Sequence, residues 1–169
     1  MIEKNYFELA NEIIGRLKEF GPELSGCGKH ESTGKILDLF HERGEKKGYF
    51  ICPSKEVGNS EWLYDMIWFK NTEGGNKKDI MLKEVCLVLE CEWSHCYSDV
   101  SYDFEKLLLA NAPIKVMIFE EGKCKFKDIC DKMKESIKNY RNGSPGIYIL
   151  ACYCGSSSEM KVLQLLPSN

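Results

Sequence analysis

The chain has 169 residues, of which 43% are hydrophobic and 29% charged, a balance that fits one folded domain (1–169) and excludes a disordered chain. No apolar run approaches the roughly 18 residues of a membrane helix and no export signal opens the sequence, so we expect a cytoplasmic protein without a membrane partner. The 23 Lys and Arg against 26 Asp and Glu give a net charge of -3, which excludes a surface that is basic throughout.

Hydrophobic periodicity divides the chain into helical and extended segments. Apolar residues at helical spacing predict helices at 5–20, from about 36 to Gly44, at 103–111 and at 126–140. Short apolar or aromatic runs bounded by Gly, Pro and polar residues predict strands at 49–52, 62–69, 85–93, 114–119, 147–152 and 161–166. Small and polar residues predict loops at 24–34 and 70–83. This order predicts an α/β fold, a three-layer sandwich around a central mixed sheet, with an antiparallel hairpin and a helical crossover into the strand at 114–119.

The strand at 85–93, VCLVLECEW, is apolar until its acidic end. Alternate residues of a strand point to the same face, so Glu90 and Glu92 project together. Across the predicted hairpin, Asp65 lies in the middle of WLYDMIWF, where an acid is costly unless something offsets its charge. We therefore expect the three carboxylates to converge in one solvent-reached pocket suited to Mg²⁺ or Mn²⁺. The alternative is that each acid pairs with a Lys or Arg or ends an exposed strand.

The order of a helix with an acid, a strand, a strand with Asp, a strand with E-x-E, a helix and a strand resembles the PD-(D/E)xK nuclease superfamily over about residues 32–120. The resemblance implies a restriction-endonuclease-like fold and metal binding by Asp65 and Glu90. Glu92 stands where the family commonly has Lys, and Tyr64 stands where its name places Pro. Lys106, on the helix after the E-x-E strand and three residues after Asp103, is a candidate replacement for that Lys.

The resemblance further implies an accessory acid on the helix before the first strand, and Glu42 matches it in order and approximate spacing, with Glu31 and Glu45 as competitors. It implies hydrolysis of a nucleic acid in which Glu92 or Lys106 orients the attacking water. DNA is favoured over RNA as the substrate, and the choice between them stays open. Lysines are the candidate phosphate contacts, and the alternative for each is a solvated side chain. They are Lys70, Lys77, Lys78 and Lys83 around the hairpin and Lys123, Lys125 and Lys127.

The nine cysteines are an odd number in a chain without an export signal, and several lie in apolar runs, so free thiols are expected. Cys27 and His30 facing His95 and Cys96 would permit a zinc site, although no duplicated C-x-x-C supports one.

A second class of function stays open. The missing family Lys and the acidic net charge also suit a non-catalytic module with the nuclease fold, which binds a protein or a nucleic acid as an interaction or immunity-type partner. The sequence leaves the oligomeric state open.

Overall fold

The structure is a computed structural model that describes residues 2–53, 63–72, 81–142 and 145–166. Four helices flank a sheet in this part of the chain, and a short 3-10 turn at Gly21–Leu24 follows the first helix. The helices are α1 (Lys4–Phe20), α2 (Lys29–Lys46), α3 (Tyr97–Leu109) and α4 (Phe126–Asn139). The strands are β1 (Phe50–Cys52), β2 (Met66–Asn71), β3 (Leu82–Glu92), β4 (Ile114–Glu120), β5 (Ile147–Cys154) and β6 (Glu159–Leu165).

The six strands form one mixed sheet whose spatial order is the chain order, β1 to β6. The β1–β2, β2–β3 and β5–β6 pairs are antiparallel, whereas β4 lies parallel to both β3 and β5. Helix α3 makes the crossover from β3 to β4, and α4 makes the crossover from β4 to β5. The predicted α/β class, the mixed sheet, the antiparallel hairpin and the helical crossover are confirmed.

Two apolar layers, one on each face of the sheet, hold the helices in place. Helices α1 and α2 pack on one face through Ile13, Leu17 and Phe40. Helices α3 and α4 pack on the other through Phe104 and Met133. Every residue of β5 is buried, as a parallel strand covered on both faces requires. None of the helices in the described part of the chain combines the length and apolar character of a membrane-spanning segment.

Helix α2 departs from the predicted boundaries at both ends. It begins at Lys29, within the predicted loop 24–34, because Ser32 is buried and the Thr33 hydroxyl accepts a hydrogen bond of 2.8 Å from the Trp93 indole. It also runs past Gly44 to Lys46. A Cβ at Gly44 would come within 2.9 Å of the Trp68 ring, so this glycine permits the close packing of α2 on the sheet instead of ending the helix.

The predicted boundaries of α3 and β2 are wrong as well. Helix α3 begins at Tyr97, six residues before the predicted start at Asp103. Strand β2 begins at Met66, so Asp65 precedes the strand instead of lying in its middle. The side chain of Asp65 accepts a hydrogen bond of 2.7 Å from the backbone N–H of Cys91, which satisfies an amide that a longer β2 would have paired.

Candidate functional site

Glu90 is the buried acid at the centre of the candidate site. It follows the apolar run of β3 and is only 1% exposed, between Leu89 and Cys91 in the sheet. A carboxylate at this depth has lost most of its hydration, so a structure that keeps it must supply other polar contacts.

Lys106 of α3 supplies those contacts. Its ammonium donates a hydrogen bond of 2.8 Å to Glu90 Oε2 and lies 2.8 Å from Oε1. The same ammonium lies 2.9 Å from Asp103 Oδ1, one turn earlier on the helix. Its side chain is 24% exposed, so Lys106 connects a fully buried carboxylate with the protein surface. The structure thus brings together the E-x-E strand and the lysine that the sequence nominated.

Asp65 approaches from the entry to β2. Its hydrogen bond with Cys91 fixes the carboxylate beside the end of β3, and its negative charge acts on Glu90. Tyr64, the preceding residue, donates a hydrogen bond of 3.4 Å to the backbone carbonyl of Lys106. The segment before β2 is therefore joined to both β3 and α3.

Burial controls the electrostatics of this group. The pKa of Glu90 is raised to about 8, chiefly by loss of hydration and also by the charge of Asp65, while the contact with Lys106 acts in the opposite direction. Burial acts to lower the pKa of Lys106, but its contacts with Glu90 and Asp103 outweigh that effect, so the pKa lies above its ordinary value. Burial also raises the pKa of the Tyr64 hydroxyl. At neutral pH the lysine is charged, and Glu90 keeps its proton to a higher pH than an ordinary carboxyl does.

Glu92 is turned away towards the loop after β3. Its Oε1 accepts a hydrogen bond of 2.6 Å from the backbone N–H of Ser94. The Ser94 hydroxyl in turn donates to Asp99 Oδ2 at 2.6 Å, near the start of α3. Glu92 therefore acts as a local cap for the loop in this structure, although strand alternation places it on the same face as Glu90.

Glu42 lies on the other face of the sheet. It belongs to α2, which packs against the layer opposite α3, and it forms an ion pair with Lys46 of its own helix. This pair lowers the pKa of the Glu42 carboxyl. The structure does not bring Glu42 to Glu90 and Lys106.

The site around Glu90 offers few side-chain ligands for a divalent metal ion. In the described residues, no group of three or more His, Cys, Asp or Glu side chains is arranged to hold a metal ion. The expected convergence of three carboxylates is thus replaced by an acid pair, Asp65 and Glu90. Glu90 Oε1 is buried and lies 2.8 Å from the Lys106 ammonium, so this cation already contacts both oxygens of the carboxylate. Two carboxylates alone leave most of a Mg²⁺ coordination shell to waters and to a substrate phosphate.

The lysines proposed as phosphate contacts have different surroundings. Lys70 donates a hydrogen bond of 3.0 Å to Glu84, which also accepts one from the Tyr6 hydroxyl. Lys83, Lys123, Lys125 and Lys127 are exposed, and Lys77 and Lys78 lie outside the described residues. The group of Tyr6, Glu84 and Lys70 was not foreseen, because Tyr6 and Glu84 are 78 residues apart in the sequence.

The zinc alternative finds no support in the arrangement of its members. Cys27 contacts Lys35 at 3.0 Å, and His95 contacts Glu120 at 2.9 Å. All nine cysteines are free thiols in the structure.

Asp103 is the residue of the group that the sequence identified only as a neighbour of Lys106. The sequence pattern that could have identified Asp103 is an acid three residues before a lysine on one helix. This pattern is common on solvated helix surfaces, so it does not indicate a site by itself. Asp65, Glu90, Asp103 and Lys106 together form what we call the β3–α3 site.

No family model matches the chain, and no curated protein and no solved structure is significantly similar to it.

Proposed function

We propose that the protein hydrolyses phosphodiester bonds in nucleic acid with the help of Mg²⁺ or Mn²⁺, as a PD-(D/E)xK-like nuclease. The observation that carries the proposal is the contact of Lys106 with buried Glu90, because it returns a cationic side chain to the acidic strand end from which the family's Lys is missing. The order of α2, the β1–β2–β3 meander, α3 and the parallel strand β4 is also consistent with a restriction-endonuclease-like core.

Asp65 and Glu90 would hold the metal. The raised pKa of Glu90 supports this role, because an added cation would favour the ionised form of a carboxyl whose burial disfavours it. When bound, the metal would polarise a phosphate oxygen and lower the pKa of a coordinated water.

Lys106 would act on the substrate. Its ammonium is anchored to the buried end of the site by Glu90 and Asp103, yet part of its side chain is open to solvent. A fixed cation in that position orients a nonbridging phosphate oxygen and stabilises the negative charge that develops on phosphorus. Glu92 could orient the attacking water only if its carboxylate leaves the Ser94 N–H, so Lys106 is the better candidate for that role.

A non-catalytic module with this fold is the second candidate. The same contacts favour it, because they can serve a purely structural ion-pair network. In that network Lys106 neutralises Glu90, and Glu92 caps a loop. In that case the site is structural, and the partner, a protein or a nucleic acid, binds elsewhere.

The experiment that separates the two candidates combines cleavage with metal binding. Labelled single-stranded, duplex and branched DNA, and RNA, are incubated in Mg²⁺ or Mn²⁺ with wild type, Asp65→Asn and Lys106→Ala. The matched controls are Asp131→Asn and Lys134→Ala, which change the same residue types at exposed positions of α4. Melting temperature is measured with and without metal, because a ligand of the native state raises it.

A nuclease loses nearly all cleavage and most of the metal-induced rise in melting temperature in Asp65→Asn, and loses cleavage but keeps the rise in Lys106→Ala. Both control variants behave as wild type. Absence of cleavage with every substrate, together with no metal-induced rise in wild type, rejects the nuclease and leaves the binding module.

A further inference from the structure

The surface around the β3–α3 site is acidic. Segments 63–66 and 90–106 build the site, and they contain six Asp and Glu but only one Lys or Arg, which is Lys106. That lysine is already in contact with Glu90 and Asp103. A protein that holds a nucleic acid by its backbone neutralises the phosphates with several Lys or Arg side chains. Contacts between phosphates and basic side chains therefore supply only a small part of the affinity for a substrate at this site.

Aromatic and apolar side chains are exposed beside the site instead. Tyr102 of α3 is 69% exposed, and Leu63, two residues before Asp65, is exposed as well. Tyr102 precedes Lys106 by four residues, so both side chains lie on one flank of the helix, with Cβ atoms about 6 Å apart. Helix side chains lean towards the N-terminus, so Lys106 leans towards the turn that carries Tyr102. The contact of Lys106 with Asp103, in that same turn, agrees with this direction.

An exposed aromatic ring one helical turn from a phosphate-binding lysine is suited to stack on a nucleobase. Stacking on a side chain requires a base whose face is free. In a duplex each base is paired and covered by its neighbours, whereas a single strand presents bases that can unstack. The ring of Tyr102 thus offers affinity to a single strand that it cannot offer to a duplex.

We infer that the β3–α3 site takes single-stranded nucleic acid, and that Tyr102 stacks on a base beside the phosphate held at Lys106. The inference rests on the proposed function, because that function places a phosphodiester at this site. In this arrangement Tyr102 determines the specificity for a single strand, whereas Lys106 and the metal act on the phosphate.

Two measurable properties follow from this arrangement. Binding depends on the aromatic ring of Tyr102 and not on its hydroxyl, so Phe can replace this residue and Ala cannot. Binding also depends weakly on salt, because few phosphates are neutralised. The slope of log affinity against log salt concentration should be no steeper than about -1.4, the value for two phosphates on a single strand.

The test measures binding of the full chain without cleavage. A fluorescein-labelled DNA strand without self-complementarity, alone and annealed to its complement, is titrated by fluorescence anisotropy in Ca²⁺ at several salt concentrations. Ca²⁺ takes oxygen ligands as Mg²⁺ does, and gel electrophoresis of the titrated samples establishes that the DNA stays intact.

Wild type is compared with Tyr102→Ala, Tyr102→Phe and Leu109→Ala. Leu109 is the matched control, because it is 66% exposed on the same helix and lies about two turns from Tyr102. Circular dichroism establishes that each variant is folded.

We expect wild type to bind the single strand about tenfold more tightly than the duplex. Tyr102→Ala should weaken single-strand binding roughly 5- to 150-fold, the effect of one stacked base, and should leave duplex binding unchanged. Tyr102→Phe and Leu109→Ala should bind as wild type does. The inference is overturned if the duplex binds as tightly as the single strand, if neither binds, if the salt slope is steeper than that for two phosphates, or if Tyr102→Ala binds as well as Leu109→Ala.

The cleavage assay of the proposed function is read separately from this binding assay. Single-strand binding that depends on Tyr102, without cleavage of any substrate, retains the single-strand site and rejects the nuclease. Cleavage of duplex that depends on Asp65, without an effect of Tyr102→Ala on binding, retains the nuclease and rejects the single-strand site.

Discussion

A carboxylate as buried as that of Glu90 is compensated only in part by Lys106, because the loss of hydration outweighs the contact with the ammonium. The folded protein therefore holds a proton on Glu90 more strongly than the unfolded chain does. Its pKa is about 8 in the fold and 4.5 without the fold's influence.

This difference predicts a pH dependence of stability. Between pH 4.5 and about 8 the native state binds more protons at Glu90 than the unfolded state, so stability falls as pH rises through this window. Glu90→Gln removes the titrating group. The free energy of unfolding of this variant, minus that of wild type, should therefore increase by on the order of a few kcal/mol as pH rises through this window. Urea unfolding of both proteins at several pH values measures this. A difference between the two proteins that is independent of pH would contradict it.

Lys106 gives a second prediction at this scale. Lys106→Met leaves Glu90 buried without its cation, and we expect a loss of about 2 kcal/mol near neutral pH, limited by proton uptake at Glu90. Lys134→Met, at an exposed position of α4, should change stability by less than about 0.5 kcal/mol. Chemical denaturation compares them. Equal effects of the two substitutions would show that the ion pair with Glu90 contributes nothing.

At the scale of elements, two glycines of α2 provide a matched pair. Gly44 lies against Trp68 and Ile51, so Gly44→Ala should destabilise the protein by about 1–3 kcal/mol through overpacking. Gly34, in the same helix, has open space where its Cβ would lie, and Gly34→Ala should stabilise the protein by roughly 0.5–1 kcal/mol. Melting temperatures check both signs. A loss of stability in Gly34→Ala would mean that α2 is not helical there.

The sequence predicted well the elements whose buried faces produce a clear hydrophobic pattern. Strand β5 is a continuous apolar run, and β4 is apolar apart from Lys115 and its last residue, Glu120. Helix α4 shows an apolar stripe through Ile129, Met133 and Ile137. The starts of α2 and α3 were missed because their first turns, KHES and YSDV, lack the apolar spacing of a helix. Tertiary contacts such as the hydrogen bond of Thr33 with Trp93 hold the start of α2 in the fold.

The candidate site was predictable in part for the same reason. Acids that interrupt an apolar strand are visible in a sequence, and so Glu90 was identified; a lysine on the following helix could be nominated from family resemblance. The orientation of Glu92 was not predictable, since it depends on a single hydrogen bond with Ser94 in the next loop. The placement of Glu42 depends on which sheet face α2 covers, a property of the assembled layers.

At the scale of the whole molecule, the nine thiols should fall into kinetic classes. Cys86, Cys130 and Cys152 are buried, and burial raises the pKa of Cys130 to about 12, so these thiols react slowly in the native protein. Cys96 is exposed and should react at once. Titration with a chromogenic disulfide should give a fast partial reaction when native and close to nine thiols when denatured without reductant. A denatured count lower by two or more would indicate disulfides.

The agreement between the spatial order of the strands and their order in the chain has a consequence for synthesis on the ribosome. Among the residues that the structure describes, each strand pairs only with its neighbours in the sequence. No strand must wait for a later one to be inserted beside its N-terminal neighbour, so pairing can proceed in the direction of translation. The β3–α3 site belongs to segments that emerge before β5 and β6, and its residues can meet while the last third of the chain is still being made.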